Sequence, residues 1–149
     1  MEFNIPRSLR VEHEELHEEL SRGTKEPGSI GKSARTVAKI LHPHFVKEEE
    51  YALPPLGLLS PLAEGNPTPD MKKVVKATDR LKAELPRMLE EHRAIVAALK
   101  DLVVESKRKH KVQYVRFAEK LTLHAQTEEE VLYPAAILVG EYLKCKLRT

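Results

Sequence analysis

Cysteine occurs once in 149 residues, at Cys145, and tryptophan does not occur at all. A lone thiol excludes an internal disulfide and a thiolate-built zinc or iron–sulfur site, so any metal chemistry must rest on histidine and carboxylate. Excess charge of one sign is equally scarce: the formal net charge is +2, and no basic cluster is interleaved with aromatic residues. Nothing in that balance asks for nucleic acid. The longest nearly apolar run, Val131 to Val139, is far too short to span a bilayer, and the N-terminus has no secretory hydrophobic region. The expectation is a cytoplasmic protein with neither a nucleic-acid nor a membrane partner. What is present, 41% hydrophobic and 32% charged residues, suits one globular domain over residues 1–149. Such a chain is long enough to bury about two-thirds of its unfolded surface.

Apolar residues recur at helical spacing in four long segments separated by turn signals, which is an all-α pattern. The first runs from near Pro6 to Arg22, with Leu9, His13, Leu16 and Leu20 on one stripe and Gly23 as a stop. The second, from about Ser29 to Tyr51, has Val37, Leu41, His44 and Glu48 in register. The third opens on Thr68 and Pro69 and carries Leu81, Leu85, Met88, His92, Ile95 and Leu99 on its way to about Lys107. The fourth, from near Lys109, aligns Tyr114, Phe117, Leu121, His124, Glu128 and Val131 before Pro134. Short connections after the first and third segments make neighbouring helices antiparallel. Residues 53–67, rich in proline and leucine, read as a crossover loop packed on a bundle of about residues 5–135. Pro43 and Pro86 lie inside helical patterns and are expected to kink or open them. In the tail, 135–149, residues 135–146 are expected to form a short fifth helix whose Ile137, Leu138 and Leu143 cap one end.

The chemistry lies in a repeat. His13 is followed 31 residues on by His44, and His92 is followed 32 residues on by His124. Each second histidine has a glutamate four residues later, Glu48 or Glu128, and a proline six beyond that, Pro54 or Pro134. All six polar positions fall on the apolar stripe of their own segment, so packing the stripes together buries four imidazoles and two carboxylates. A buried polar group without a partner costs roughly 1–3 kcal/mol, and an unpaired charge costs more. A pair of divalent cations removes that cost. Residues four apart share a helix face, so each His-to-Glu step can offer a nitrogen and an oxygen to one centre, and a carboxylate can bridge two metals.

Glu12-His13, the run "HFVKEEEYALP" at 44–54, "EEH" at 90–92 and "HAQTEEEVLYP" at 124–134 together resemble the hemerythrin-like, or HHE cation-binding, domain. The likeness covers about residues 5–135. It implies an up-down-up-down four-helix bundle holding a non-haem di-iron centre that binds dioxygen or related small molecules such as nitric oxide or peroxide. Carried over position by position, His13 and His44 would serve one metal, His92 and His124 the other, and Glu48 and Glu128 would bridge. Oxygen-carrying members have a further histidine where this chain has Met88, which leaves six protein ligands instead of seven and puts reversible oxygen carriage in doubt. His17, one turn after His13, is a candidate fifth imidazole, and Glu129 is an alternative to Glu128 as bridge.

Ligand type suits iron, and zinc, manganese or nickel as substitutes. Met88 reads as core packing, His42 and His110 as surface residues, and the stretch from Glu12 to Glu19 as a solvated face. Besides a small-molecule binder or sensor, two other functions fit these residues: an iron-handling or redox enzyme, and a structural metal bundle that docks a protein.

Overall fold

Proline and glycine mark where the helices of this chain begin. In the computed structural model, which describes residues 4–148, α1 (Arg7–Thr24) starts after Pro6 and α2 (Gly28–Lys47) after Pro27. The turn between them is tight because Gly28 takes φ +70°, a left-handed conformation that side chains resist. A 3-10 turn, Pro69–Lys73, leads into α4 (Val74–Arg108), and α5 (Val112–Thr127) is prolonged by α6 (Tyr133–Lys146). The segment 53–67 holds another 3-10 turn, Pro54–Leu58, and the short α3 (Leu59–Ala63), and it is packed down by buried Leu53, Leu56 and Leu58. No strand occurs among the described residues, and no helix there is long and apolar enough to cross a membrane.

Each long helix buries the stripe its periodicity marks, for example His13, Leu16 and Leu20 on α1 and Leu81, Met88, His92, Ile95 and Leu99 on α4. Contacts run from α1 to α2, α2 to α4, α4 to α5 and α5 back to α1, closing a ring. Tyr114, Lys120 and His124 of α5 meet Glu26, Glu19 and Glu12 in turn, so this helix descends as α1 climbs. Lys47 with Glu91 and Glu50 with Arg80 give the same opposed sense for the second and third long segments. One apolar cluster gathers Leu16, Val37, Leu41, Ile95, Leu99 and Phe117, and a second gathers Tyr51, Leu53, Leu56, Leu81, Met88 and Tyr133. The four repeat histidines lie at the level where the two clusters meet.

α2 and α4 continue through Pro43 and Pro86 as unbroken helices, and the turns open elsewhere. Two π turns, Glu48–Ala52 and Glu128–Leu132, begin on the two repeat glutamates. Their signature is an i→i+5 bond: the Leu53 N–H donates to the Glu48 carbonyl at 2.8 Å, and the Tyr133 N–H to that of Glu128. Each π turn accommodates one extra residue, so the buried stripe beyond it shifts by one position. Val131 and Leu138, both expected inside, are therefore 55% and 66% exposed, while Tyr133, Ala136, Val139 and Leu143 are buried. Residues 133–146 are helical and follow directly on the fourth segment; of the three expected apolar positions Leu143 is buried with Leu58, Met71 and Val74, Ile137 is half-buried and Leu138 is exposed. The helix is seated by Gly140, where a Cβ would fall 1.9 Å from Thr78 Oγ1 of α4.

Candidate metal centre

Four helices deliver one imidazole each to the junction between the apolar clusters: α1 brings His13, α2 His44, α4 His92 and α5 His124. Glu48 and Glu128, at the openings of the two π turns, complete the set, and none of the six side chains is more than 5% exposed. They fall into two groups able to hold a metal ion, His13–Glu48–His124–Glu128 and His44–Glu48–His92–Glu128. Both carboxylates belong to both groups. Glu128 turns Oε1 to His92 Nε2 and Oε2 to His124 Nε2, each at 3.1 Å. Glu48 turns Oε1 to His13 Nε2 at 3.7 Å and Oε2 to His44 Nε2 at 3.6 Å.

The grouping corrects one expectation. The family resemblance implied His13 with His44 and His92 with His124, but the structure pairs His13 with His124 and His44 with His92, their ring centroids 5.1 and 4.7 Å apart. The reason is depth: α1 and α5 present their histidines to one side of the shared carboxylates, and α2 and α4 to the other. His17 joins neither group; its exposed ring faces that of His42 at 5.9 Å. Glu129 also lies outside both. Met88 is core, with the Tyr51 hydroxyl donating to its sulfur at 3.8 Å.

Sequence reasoning missed the outer carboxylates. Every Nε2 points inward and every Nδ1 points at an acid: His44 to Glu91 at 2.8 Å, His92 to Glu129 at 3.3 Å, His124 to Glu12, and His13 to Glu49 at 3.9 Å. Glu12 is thus no plain solvated residue. A carboxylate that accepts the Nδ1–H fixes the tautomer and leaves the Nε2 lone pair free for a cation. The signal was present as an acid before the histidine in Glu12-His13 and Glu91-His92, but each acid serves the histidine of a neighbouring helix. Glu91→Gln and Glu12→Gln are each expected to weaken metal binding by about 10–100-fold while the helical circular dichroism stays unchanged; competition against a chelator reads the loss.

The electrostatics are those of a charged layer inside an apolar frame. Burial pulls the His44 imidazole down, yet Glu48, then Glu91 and Glu128, outweigh it and push the ring up to about 9. His124 is likewise lowered by burial and lifted further by Glu128 and Glu48, to about 9. Of the two carboxylates, burial and the charge of Glu128 push Glu48 up to about 7. Glu128 resists its burial because Glu48 and the surrounding imidazoles bond to it, and it stays well below the usual range. The fit to a cation is tested by what these atoms lack. His13 Nε2, His124 Nε2, Glu48 Oε1 and Glu128 Oε2 are buried with no hydrogen-bond partner among the described residues. Four orphaned donor atoms converging from two imidazoles and two carboxylates are a metal's coordination shell by chemistry, and a poor arrangement for anything else.

Two surface clefts border the layer. One of about 460 Å³ reaches His13 past His17, His42, Phe45 and Arg10, and one of about 400 Å³ reaches His92 beside Arg93, Lys100 and Glu129. Phe45 stacks on His13 with centroids 4.0 Å apart, and at the position equivalent in the repeat stands Ala125. Residues 4–136 match a family model described as the Hemerythrin HHE cation binding domain. No curated protein and no solved structure matches the chain.

Proposed function

Because this chain belongs to the hemerythrin HHE cation-binding family, we propose that it is a cytoplasmic, single-domain dinuclear metal protein, 1–149, built as an up-down-up-down bundle. In this reading His13, His44, His92, His124, Glu48 and Glu128 hold two iron ions that bind or sense dioxygen, nitric oxide or peroxide. The observation that carries it is the division of Glu48 and Glu128, each giving one oxygen to either group. A pair of carboxylates so disposed would hold a cation in each group and neutralise part of the charge of both.

Bound iron supplies an open position for a diatomic ligand and a change of oxidation state. The chain supplies the rest. The two apolar clusters exclude water from the carboxylates, the outer acids Glu91, Glu129 and Glu12 hold the imidazoles of His44, His92 and His124 in their metal-binding tautomer, and the clefts admit something small. Zinc, manganese or nickel would satisfy the same donors, which is why the metal must be measured.

Anaerobically purified, iron-replete protein is expected to carry two iron ions per chain and to change its visible spectrum when exposed to oxygen or nitric oxide. An iron-loaded sample indifferent to both gases, or a chain equally competent with zinc alone, removes the sensing reading in favour of a structural bundle. Sustained turnover of peroxide favours the redox enzyme.

A further inference from the structure

The two donor groups are not equivalent. Around His13 and His124 the four inward atoms are orphaned, whereas around His44 and His92 the four matching atoms all meet one hydroxyl. Tyr133 Oη lies 3.2 Å from His44 Nε2, 3.2 Å from His92 Nε2 and 3.5 Å from Glu128 Oε1, and it donates to Glu48 Oε2 at 2.6 Å. The side chain is completely buried and its ring stacks beside His92, centroids 5.6 Å apart.

Its place depends on the second π turn. Residues five apart on an α-helix point about 140° away from one another, but the i→i+5 bond between Glu128 and Tyr133 stacks them. The first π turn brings Leu53 to the equivalent position after Glu48, and leucine has no oxygen to offer. Phenylalanine at 133 would fill the same apolar volume, so packing alone does not explain the hydroxyl.

We infer that the phenol oxygen of Tyr133 is a direct ligand of the cation held between His44 and His92, and that the two metal positions therefore differ. The inference rests on the reading that the cluster holds two cations. On binding, a metal–oxygen bond forms and the phenolic O–H breaks, the proton leaving to solvent with those displaced from the imidazoles; no electron is transferred. Tyr133 closes one position. The other, between His13 and His124, borders the 460 Å³ cleft and keeps room for an external small molecule.

The test is spectroscopic. Ferric wild-type protein is expected to show a phenolate-to-iron charge-transfer band in the visible, with resonance-Raman ring modes that shift when ring-deuterated tyrosine is incorporated. Tyr133→Phe should lose the band entirely, whatever iron it keeps, while Tyr51→Phe keeps both irons and the band. Wild-type protein carrying two irons without such a band, or Tyr133→Phe with an unaltered spectrum, overturns the inference and leaves the dinuclear reading intact. A chain that takes up no iron overturns the dinuclear reading itself. Should Tyr133→Phe fail to fold, the isotope shift in the wild type decides alone: its presence supports tyrosine ligation and its absence refutes it.

Discussion

Glu128→Gln is expected to leave the purified protein almost free of metal, whereas His124→Ala and His44→Ala should each forfeit about one ion of the two. The difference follows from membership: Glu128 belongs to both donor groups, and each histidine to one. Glutamine preserves the shape of the side chain but replaces one acceptor oxygen by an amide that presents hydrogens, and it removes the charge facing both cations. The loss should exceed the roughly 10–100-fold that follows from removing an outer hydrogen-bond partner. Glu48→Gln should behave alike for the same reason. Elemental analysis per folded chain reads the result, with His42→Ala as a control that keeps both ions. If Glu128→Gln binds two ions as tightly as wild type, the carboxylate does not bridge.

The second large effect is on stability. An unfolded chain has no preformed site, so each ion present at about a thousand times its dissociation constant adds roughly 4 kcal/mol to the folded state. Two ions add about 8 kcal/mol, and for a chain of this size chelation should lower Tm by on the order of 20 °C. The gap should widen with pH. His44 and His124, raised to about 9 by neighbouring carboxylates, stabilise the metal-free fold fully below their unfolded pKa of about 6.5. That contribution disappears as pH climbs through about 9. Over the same window a cation no longer has to displace those protons, so its affinity should rise by up to about tenfold per pH unit for each group. Melting curves with and without chelator at pH 6.5 and 8.5 check both signs. A gap that narrows with pH would mean that neither imidazole surrenders a proton to the metal.

The six inward groups were legible in the sequence because a twice-repeated spacing set four histidines and two glutamates on apolar stripes, where residues that are merely solvated do not sit. Which histidines meet was not legible. Spacing along one helix says nothing of the height at which its neighbour crosses, and His13 finds His124, over a hundred residues away, before it finds His44. Tyr133 stood within the run "HAQTEEEVLYP" with no role assigned, because helical periodicity is counted at 3.6 residues and a π turn breaks that count. The same miscount put Val131 and Leu138 inside. Glu12 and Glu91 were visible as acids beside histidines, but the histidine each one orients belongs to another helix.

The π turns also set how the chain tolerates changes of length. Each is a stretch of helix carrying one residue more than its rise requires, so deleting a residue within Glu128–Leu132 would leave the backbone helical and well bonded. Everything downstream would keep its facing, because four residues of α-helix return the chain to nearly the side that five residues of π turn do. Tyr133 would then stand four residues after Glu128, still stacked over the carboxylates, and Val139 would stay inward with Leu138 outside. Outward glutamates such as Glu130 can be exchanged freely and one of them removed; the same deletion at residues 134–138, where the helix has no residue to spare, would turn Gly140 by about 100° and unseat the last helix from Thr78.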